Sequence, residues 1–409
     1  MTAQGILYLL IGLSVAGFLF AQGLEWLNMN ALRTDIPTEV APYYDTEKYQ
    51  RSLAYQRAQA RFEFVSGGFS FLLSMAFLAA GGFGWLDGAL REVTVHPIAL
   101  ALLFFGAITL VSDALSLPFQ WYHTFVLEEK YGFNKTTVQT FVLDKVKGYL
   151  LGGIVGGALL ACLIFLMEQW GPSFWVWFAL IAATVMLLLN LFYTSWLLPL
   201  FNKLTPLPEG DLKSAIEAFA RKVHFPLDQV LVMDGSKRSA KANAFFAGLG
   251  ARKKIVLYDT LIANHTTDEL VAVLAHEVGH YKKKHIVWGY LLSVLQIVFV
   301  LFVLSRLAFD ESLSLALGGQ QHAIHLNLVA FGLLFAPISG AIGLLVNMLS
   351  RKNEFEADAY ARTTYSGEAL ARALKKLSVD TFSNLHPHPL YVFFRYSHPP
   401  LLQRLRALQ

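Results

Sequence analysis

Two imidazoles and a carboxylate stand in the five residues from 276 to 280, which read His276-Glu277-Val278-Gly279-His280. Residues four apart share one face of a helix, so both histidine rings can reach a single metal ion. A bound zinc ion lowers the pKa of its water to about 7, and a neighbouring carboxylate such as Glu277 can then remove a proton at neutral pH. This spacing is typical of zinc peptidases, and we predict one zinc ion per chain.

The residues before the motif predict the helix that must position it. Thr266 and Glu269 stand three apart, as in a capping box at a helix start, and the apolar Leu270, Val273 and Leu274 follow at helical spacing. The alternative is a structural helix that binds no metal. We favour the metal site because two histidines and a glutamate at these offsets seldom coincide by chance.

A zinc site of this kind needs a third protein ligand on a later helix, and its fourth position is left to water. Glu354 is the candidate, and Asp358, one helical turn further on, is placed to accept the free N–H of a ligand histidine. Glu356 lies about 200° round an ideal helix from Glu354, so the two cannot both face the metal. The alternative for this segment is a solvated charge cluster that follows a membrane helix.

The composition indicates an integral membrane protein. Apolar residues make up 55% of the chain and charged residues only 15%, and the mean hydropathy is +0.47. Apolar runs long enough to cross a bilayer predict seven spans. These runs cover residues 5–24, 66–86, 97–118, 148–167, 173–196, 287–308 and 326–348.

Lysine and arginine residues are concentrated in alternate connections between the predicted spans. By the positive-inside rule, the N-terminus lies outside, and the first, third and fifth connections and the C-terminal tail lie in the cytoplasm. Both parts of the predicted zinc site then fall on the cytoplasmic side. The basic residues of the first and third connections are Arg33, Lys48, Arg51, Arg57, Arg61, Lys130, Lys135, Lys145 and Lys147.

The catalytic motifs fall in two segments that we predict to form one small α+β domain. These segments are residues 197–286 and 349–409, whereas residues 1–196 hold the first five spans and residues 287–348 the last two. The predicted fold class is a mostly α-helical polytopic membrane protein with this domain on its cytoplasmic side.

Inside the predicted domain, an edge strand is expected just before the zinc helix. A peptide substrate can add to such a strand by backbone pairing, with Asn243 and Ala244 placed to hold it. An ordinary small sheet without a ligand is the equal alternative. We expect a helix near residues 211–223, a strand near 229–233, and a hairpin turned by glycines, with its strands near 243–250 and 255–258.

The whole chain resembles the type I CAAX prenyl proteases, a family of seven-span integral-membrane zinc metalloendopeptidases. The matching motifs follow the family's order and are spread over about two thirds of the chain. They are Glu129-Lys130-Tyr131-Gly132-Phe133-Asn134-Lys135, Pro199-Leu200-Phe201-Asn202-Lys203, Asn243-Ala244-Phe245, the motif at 276–280, Ser350-Arg351 with Glu354-Phe355 and Ala357-Asp358, and Ser397-His398-Pro399-Pro400-Leu401-Leu402-Gln403-Arg404.

The resemblance implies a role for each matching position. His276, His280 and Glu354 would bind zinc, and Glu277 would act first as the base and then as the acid. Asn243 and Ala244 would pair with the substrate backbone. His398 would stabilise the oxyanion, and Arg404 would orient that region and Glu354. The family's spans surround a water-filled intramembrane chamber that a zincin-like domain caps. Such a chamber would explain the polar Asp113 and Asn190 in the spans, although hydrogen bonds between helices explain them equally well.

The family cuts after a prenylated cysteine and releases the last three residues of a CAAX sequence. We therefore expect two partners, the lipid bilayer and a peptide or protein substrate with or without a C-terminal prenyl group, and no nucleic acid. The compact chain ends in Arg406-Ala407-Leu408-Gln409 without a dilysine signal, which favours the inner membrane of a bacterium over the endoplasmic reticulum of a eukaryote.

Two other functions remain open from the sequence. The first is a membrane quality-control protease that degrades misfolded or stalled membrane proteins, against which seven spans and the His398 motif argue. The second is a non-enzymatic transporter or scaffold with a structural metal. Glu277 argues against it, because a structural site needs a closed fourth ligand and no base.

Overall fold

Long apolar helices form the first half of the molecule. The computed structural model describes residues 1–247 and 253–409. Turns of π-helix at His123–Glu128, Gly152–Gly156 and Tyr193–Leu197 continue three of these helices without a break. The helices are α1 (Ala3–Asn30), α2 (Thr46–Ala79), α3 (Gly82–Arg91), α4 (Pro97–Tyr122), α5 (Val138–Leu151), α6 (Gly157–Trp170), α7 (Phe174–Phe192) and α8 (Leu198–Phe201).

A four-stranded sheet and the helices around it follow. The strand order is β1-β2-β4-β3, with β2 and β4 parallel and both outer pairs antiparallel, so β3 lies at an edge. The glycine turn predicted before residue 255 involves Gly248 and Gly250, which lie outside the described residues. The elements are β1 (Leu204–Pro206), α9 (Asp211–Lys222), β2 (Leu227–Met233), β3 (Ala244–Ala247), β4 (Lys253–Tyr258), α10 (Asp259–Asn264) and α11 (Thr267–Lys282).

The last part of the chain returns to the membrane and then to the sheet. Its longest helix has 41 residues and runs from the apolar span to the acidic segment at 354–358 without a break. The predicted domain boundary between residues 348 and 349 therefore lies inside one helix. The elements are α12 (His285–Leu307), α13 (Glu311–Ala316), α14 (Ile324–Thr364), α15 (Gly367–Asp380), α16 (Pro389–Arg395) and α17 (Leu401–Leu408).

Six helical segments of the described chain are long and apolar enough to span a membrane. One of them, Val138–Phe201, contains both α6 and α7, which a tight turn at Gly171 separates with a φ of +48°. Counted as two, these helices raise the number of spanning helices to seven. The predicted second span, residues 66–86, is wrong at its end. Gly81, with a φ of +69°, ends α2 at Ala79 and starts the separate helix α3, although the apolar sequence continues.

The seven spanning helices form a closed ring. In order, α1, α2, α4, α6, α7, α12 and α14 each contact the next, and α14 contacts α1. Few residues of these helices are buried. Besides its two neighbours in the ring, α14 also contacts α4. At the end of α14 remote from residue 354, the buried His325 lies 2.8 Å from Asp87 of α3, and the two side chains join these helices there.

Polar residues of the spanning helices take different partners. The Asp113 carboxylate lies 2.8 Å from Lys145 Nζ of α5 and accepts a hydrogen bond from Gln120. Asn190 instead donates to the Met186 carbonyl of its own helix. The Asp113 pair therefore joins two helices and remains partly accessible, whereas the Asn190 amide is satisfied locally.

The helix α11 lies at the centre of the small domain. Its capping box forms as predicted: Thr266 Oγ1 accepts from the Glu269 amide at 3.3 Å, and the Glu269 carboxylate accepts from the Thr266 amide at 2.9 Å. The apolar face of α11 packs on the sheet, α9, α14 and α15. Because Leu270, Leu274 and Val278 are nearly inaccessible to solvent, the opposite, histidine-bearing turn is held in a fixed place.

Candidate metal centre

Two helices bring the three predicted metal ligands together. His276 and His280 stand one turn apart on α11, and their Nε2 atoms are 3.2 Å from each other. Glu354 of α14 places one carboxylate oxygen 3.6 Å from His276 Nε2 and the other 3.4 Å from His280 Nε2. One ligand atom from each residue lies within 4.8 Å of the other two. His276 and Glu354 are buried, and His280 is partly buried.

The glycine inside the histidine motif allows α14 to approach α11. A Cβ atom at Gly279 would lie 3.0 Å from the Ala357 Cα atom, 3.1 Å from its carbonyl oxygen and 3.1 Å from Tyr360 Cβ. Ala357 is fully buried at this crossing. Any larger side chain at position 279 must therefore move the helix that carries Glu354.

We expect Gly279→Leu to separate the two helices and to lower metal content and thermal stability together. Overpacking of a tight core site costs about 1–3 kcal/mol, and here the displaced group is a ligand. Metal per chain after purification and unfolding in detergent would measure both effects. Gly289→Leu is the matched control, since nothing lies within 4 Å of a Cβ atom there. A Gly279→Leu protein with wild-type metal content would contradict this account.

Asp358 and Arg404 contact the predicted ligands His276 and Glu354. The buried Asp358 carboxylate accepts the Nδ1–H of His276 at 2.8 Å, and so directs its Nε2 atom towards Glu354. Arg404 of α17 donates two hydrogen bonds to Asp358, at 2.8 and 2.7 Å, and its Nη1 atom lies 3.3 Å from Glu354. A paired arginine thus balances two buried carboxylates beside the ligand set.

Glu277 lies next to the ligands on α11. Part of its surface remains accessible. Burial raises the pKa of its carboxyl above the ordinary value, although His276 and His280 act in the opposite direction. A carboxyl beside the predicted ligands is the type of group that can transfer protons.

His398 stands on the open side of the centre. Its Nε2 atom lies 3.4 Å from Glu354, and its side chain is 65% exposed. The loop that carries it is anchored by the buried Pro399 and Pro400 and by Arg351 of α14, which donates to the carbonyls of Val392 and Tyr396. Sequence reasoning assigned no role to Arg351, although the residue stands in one of the motifs that carry the resemblance.

Asn243 and Ala244 lie where the edge strand begins. The Asn243 carbonyl accepts from the Tyr258 amide of β4 at 3.1 Å, and its side chain accepts from the Ala244 amide. The strand β3 pairs with β4 on one side and contacts α11. Its other side has no strand partner among the residues that the structure describes.

The connection between α4 and α5 contacts the segment that leads into β3. The Lys135 amide donates to the Arg238 carbonyl, the Ala240 amide donates to the Phe133 carbonyl, and Asn134 forms a bridge with Ser239. A motif between two spanning helices thus fixes the segment that leads into β3.

Comparisons with known proteins agree with this architecture. Residues 25–203 match the family model described as CAAX prenyl protease N-terminal, five membrane helices, and residues 206–409 match peptidase family M48. The chain is 34% identical to CAAX prenyl protease 1 of Saccharomyces cerevisiae, with 97% of this chain and 94% of the relative covered. It is 32% identical to the human CAAX prenyl protease 1 homolog, with 92% and 89% covered.

A solved structure is similar over almost the full length. The crystal structure of S. mikatae Ste24p aligns with a TM-score of 0.93 at 32% identity and covers 99% of both chains. Identity above 30% over nearly the whole length, together with both family models, establishes the relationship. The chain therefore belongs to the CAAX prenyl proteases of peptidase family M48 and is an integral membrane metalloendopeptidase.

Proposed function

We propose that this chain binds one zinc ion and hydrolyses the peptide bond after a prenylated cysteine, releasing a C-terminal tripeptide. The observation that carries the proposal is the cluster of His276, His280 and Glu354 with Glu277 beside it, set on a ring of spanning helices. Full-length relatives named CAAX prenyl proteases support the substrate class.

Zinc fits the ligand set. Two nitrogen ligands at about 2.0–2.1 Å from a tetrahedral zinc ion are about 3.4 Å apart. The corresponding separation of the two Nε2 atoms is 3.2 Å, and the nearest Glu354 oxygens lie at 3.4 and 3.6 Å from them. Glu354 Oε2 is also buried without a hydrogen-bond partner, as expected of an atom that serves a metal.

The residues at the metal centre would have different roles in hydrolysis. Zinc, when bound, would supply Lewis-acid polarisation of the attacking water and of the scissile carbonyl. Glu277 would take the proton of the water and then return it to the leaving amine. Asp358 would keep His276 in the tautomer that leaves Nε2 free as a ligand.

The oxyanion would be stabilised by His398. It is the exposed donor beside Glu354, and a group there can act on charge that develops in the transition state. We expect His398→Ala to lower kcat about 100-fold to 1,000-fold with little change in KM, since the interaction forms only in the transition state. Steady-state kinetics on a CAAX peptide measure this split.

The controls for His398 separate charge stabilisation from loop folding. His398→Gln keeps an N–H donor and should recover part of kcat. His96→Ala, at an exposed histidine that precedes α4, should behave as wild type. A His398→Ala enzyme whose KM rises while kcat is unchanged would assign this residue to substrate binding instead.

The substrate would pair with the free side of β3. An extended peptide added there gains backbone hydrogen bonds and runs beside α11, which carries Glu277. Asn243, whose side chain is exposed at the strand's start, and Ala244 would hold this peptide. Backbone pairing is largely indifferent to side chains, which suits a protease that accepts variable aliphatic positions.

For orientation, we propose an outside N-terminus and a cytoplasmic metal centre. The basic residues of alternate connections support this topology. We further propose the inner membrane of a bacterium, supported by the short link of residues 308–323 between α12 and α14. Permeability-controlled labelling of single cysteines at positions 96 and 237 would test the orientation, because these positions should react from opposite sides.

The test of function is cleavage of a farnesylated CAAX peptide and of its unprenylated twin by detergent-solubilised protein. We expect release of the tripeptide from the prenylated peptide, loss of activity with a chelator, and recovery with zinc. A zinc-loaded protein that cuts neither peptide, or both equally well, would overturn the proposed substrate.

A further inference from the structure

Two polar residues beside the metal centre have no part in the function described so far. His285 is the first residue of α12, and its side chain is only 8% exposed. Glu356 of α14 lies about 200° round an ideal helix from Glu354, and its carboxylate contacts His285. These two side chains contact each other, and His285 also contacts a predicted ligand.

The contacts form a chain that ends at His280. His280 Nδ1 lies 3.0 Å from His285 Nδ1, and His285 Nε2 lies 3.2 Å from the Glu356 carboxylate. On its other side, His280 Nε2 faces His276 and Glu354. The ligand atom of His280 is therefore Nε2, and Nδ1 is the atom that His285 contacts.

One arrangement of protons satisfies every contact. If His280 Nε2 is a metal ligand, the proton of the neutral ring is on Nδ1, which donates to His285. His285 Nδ1 must then accept, so its own proton is on Nε2 and is donated to Glu356. The carboxylate at the end of the chain thus selects the tautomer of the ligand through an intervening imidazole.

The other proposed ligand, His276, is also held by a carboxylate, but without an intervening imidazole. His276 donates its Nδ1–H directly to Asp358, two residues beyond Glu356 on α14. Glu356 is further from His280, and the His285 ring lies between the two side chains. Each ligand histidine is thereby held by a carboxylate of the helix that also supplies Glu354.

The backbone places His285 in this position. Lys284, between α11 and α12, has a φ of +60°, a left-handed conformation that is unfavourable for a residue with a side chain. This turn ends α11 at Lys282, starts α12 at His285 and brings the His285 ring back to His280. The metal centre is thus joined directly to a spanning helix.

We propose that His285 is a positioning residue for the ligand His280, with Glu356 as its anchor. The inference rests on the proposed zinc site and adds to it a path from the ligand to the membrane helix α12. His285 would not touch the substrate. Its contribution is to fix the ring plane and the tautomer of His280, and so to strengthen metal binding.

Zinc affinity is the measurement, made by competition with a chromophoric chelator in detergent. Loss of a partner behind a ligand typically costs about 10-fold to 100-fold in metal affinity. We expect that loss for His285→Leu, and a smaller one for Glu356→Ala, whose side chain is 38% exposed. His285→Asn keeps an acceptor close to the position of Nδ1 and should retain affinity within about 10-fold of wild type.

A double variant tests whether the two residues act as one chain. If Glu356 acts only through His285, then His285→Leu combined with Glu356→Ala should bind zinc no more weakly than His285→Leu alone. Lys352→Ala is the control, because it removes the other ion-pair partner of Glu356, at 3.8 Å, and leaves His285 in place. It should bind zinc as wild type does.

Several results would overturn the proposal. These are wild-type zinc affinity in His285→Leu, losses that add in the double variant, or a His285→Asn protein as weak as His285→Leu. If His285→Leu does not fold, the exposed Glu356→Ala carries the test, and unchanged affinity there overturns the proposal. Failure of wild-type protein to bind zinc would instead reject the proposed zinc site, which keeps the two failures distinct.

Discussion

Replacing Glu277 with glutamine should leave zinc bound and reduce peptide cleavage by about 100-fold to 10,000-fold. The amide has nearly the same shape but cannot accept a proton from water at neutral pH, so both proton transfers are lost. The proposed ligands His276, His280 and Glu354 are unchanged, which predicts the same metal content as wild type. Single-turnover cleavage of a farnesylated peptide, together with metal analysis of the same preparation, measures both quantities.

A matched control makes the result specific to position 277. Glu217 lies on α9 with its side chain 42% exposed, and Glu217→Gln should change neither metal content nor rate. If Glu277→Gln retained near-normal cleavage, another group would have to act as the base. If it lost its metal, the residue would contribute to zinc binding and the rate alone could not be interpreted.

Replacing Glu354 with glutamine should weaken zinc binding by more than about 100-fold, because a direct ligand should matter more than the residues behind the ligands. A neutral amide also leaves Arg404, 3.3 Å away, with one anion fewer. Since a metal stabilises only the state that binds it, excess zinc should raise the Tm of wild type and not that of the variant. Thermal unfolding with and without zinc checks this expectation.

The comparison needs a glutamate that is remote from the metal centre. Glu368 lies in the first turn of α15 with a side chain that is 86% exposed, so Glu368→Gln should keep the zinc-dependent rise in Tm. A Glu354→Gln protein that binds zinc with wild-type affinity would show that the third donor is another residue. Cleavage should fall in parallel with metal content.

Local patterns in the sequence predicted most of the elements correctly. The capping box at Thr266, the helix that bears the motif, and the strand preceding it depend on spacings within one or two turns of chain. Such spacings report which face a residue occupies, and burial then follows. The seven apolar runs depend on length and composition alone, and each lies largely in helical structure.

The errors and omissions occur where a structural feature depends on the backbone conformation or on contacts with residues from other parts of the chain. Gly81 ends α2 inside an unbroken apolar run, because its left-handed backbone, and not polarity, breaks the helix. The place of His285 beside the predicted ligands was not evident from the sequence, because its partners are five and 71 residues away. His398 is a loop histidine between unremarkable neighbours, and only the family resemblance assigned it a role before the structure placed it beside Glu354.

The sequence by itself determined which residue types each segment carries and whether the segment lies in water or in the membrane. It predicted a helix with two histidines and a glutamate, a later acidic helix, and the apolar spans. These follow from residue types at short spacing, and every conformation of the chain retains them. Only the tertiary structure decided that the Glu354 carboxylate lies beside the Nε2 atoms of His276 and His280. Glu354 reaches the histidines because Gly279 lets α14 approach α11, and the spans enclose an interior because α14 returns to α1. Both outcomes depend on contacts between residues far apart in the chain, whose geometry only close packing fixes.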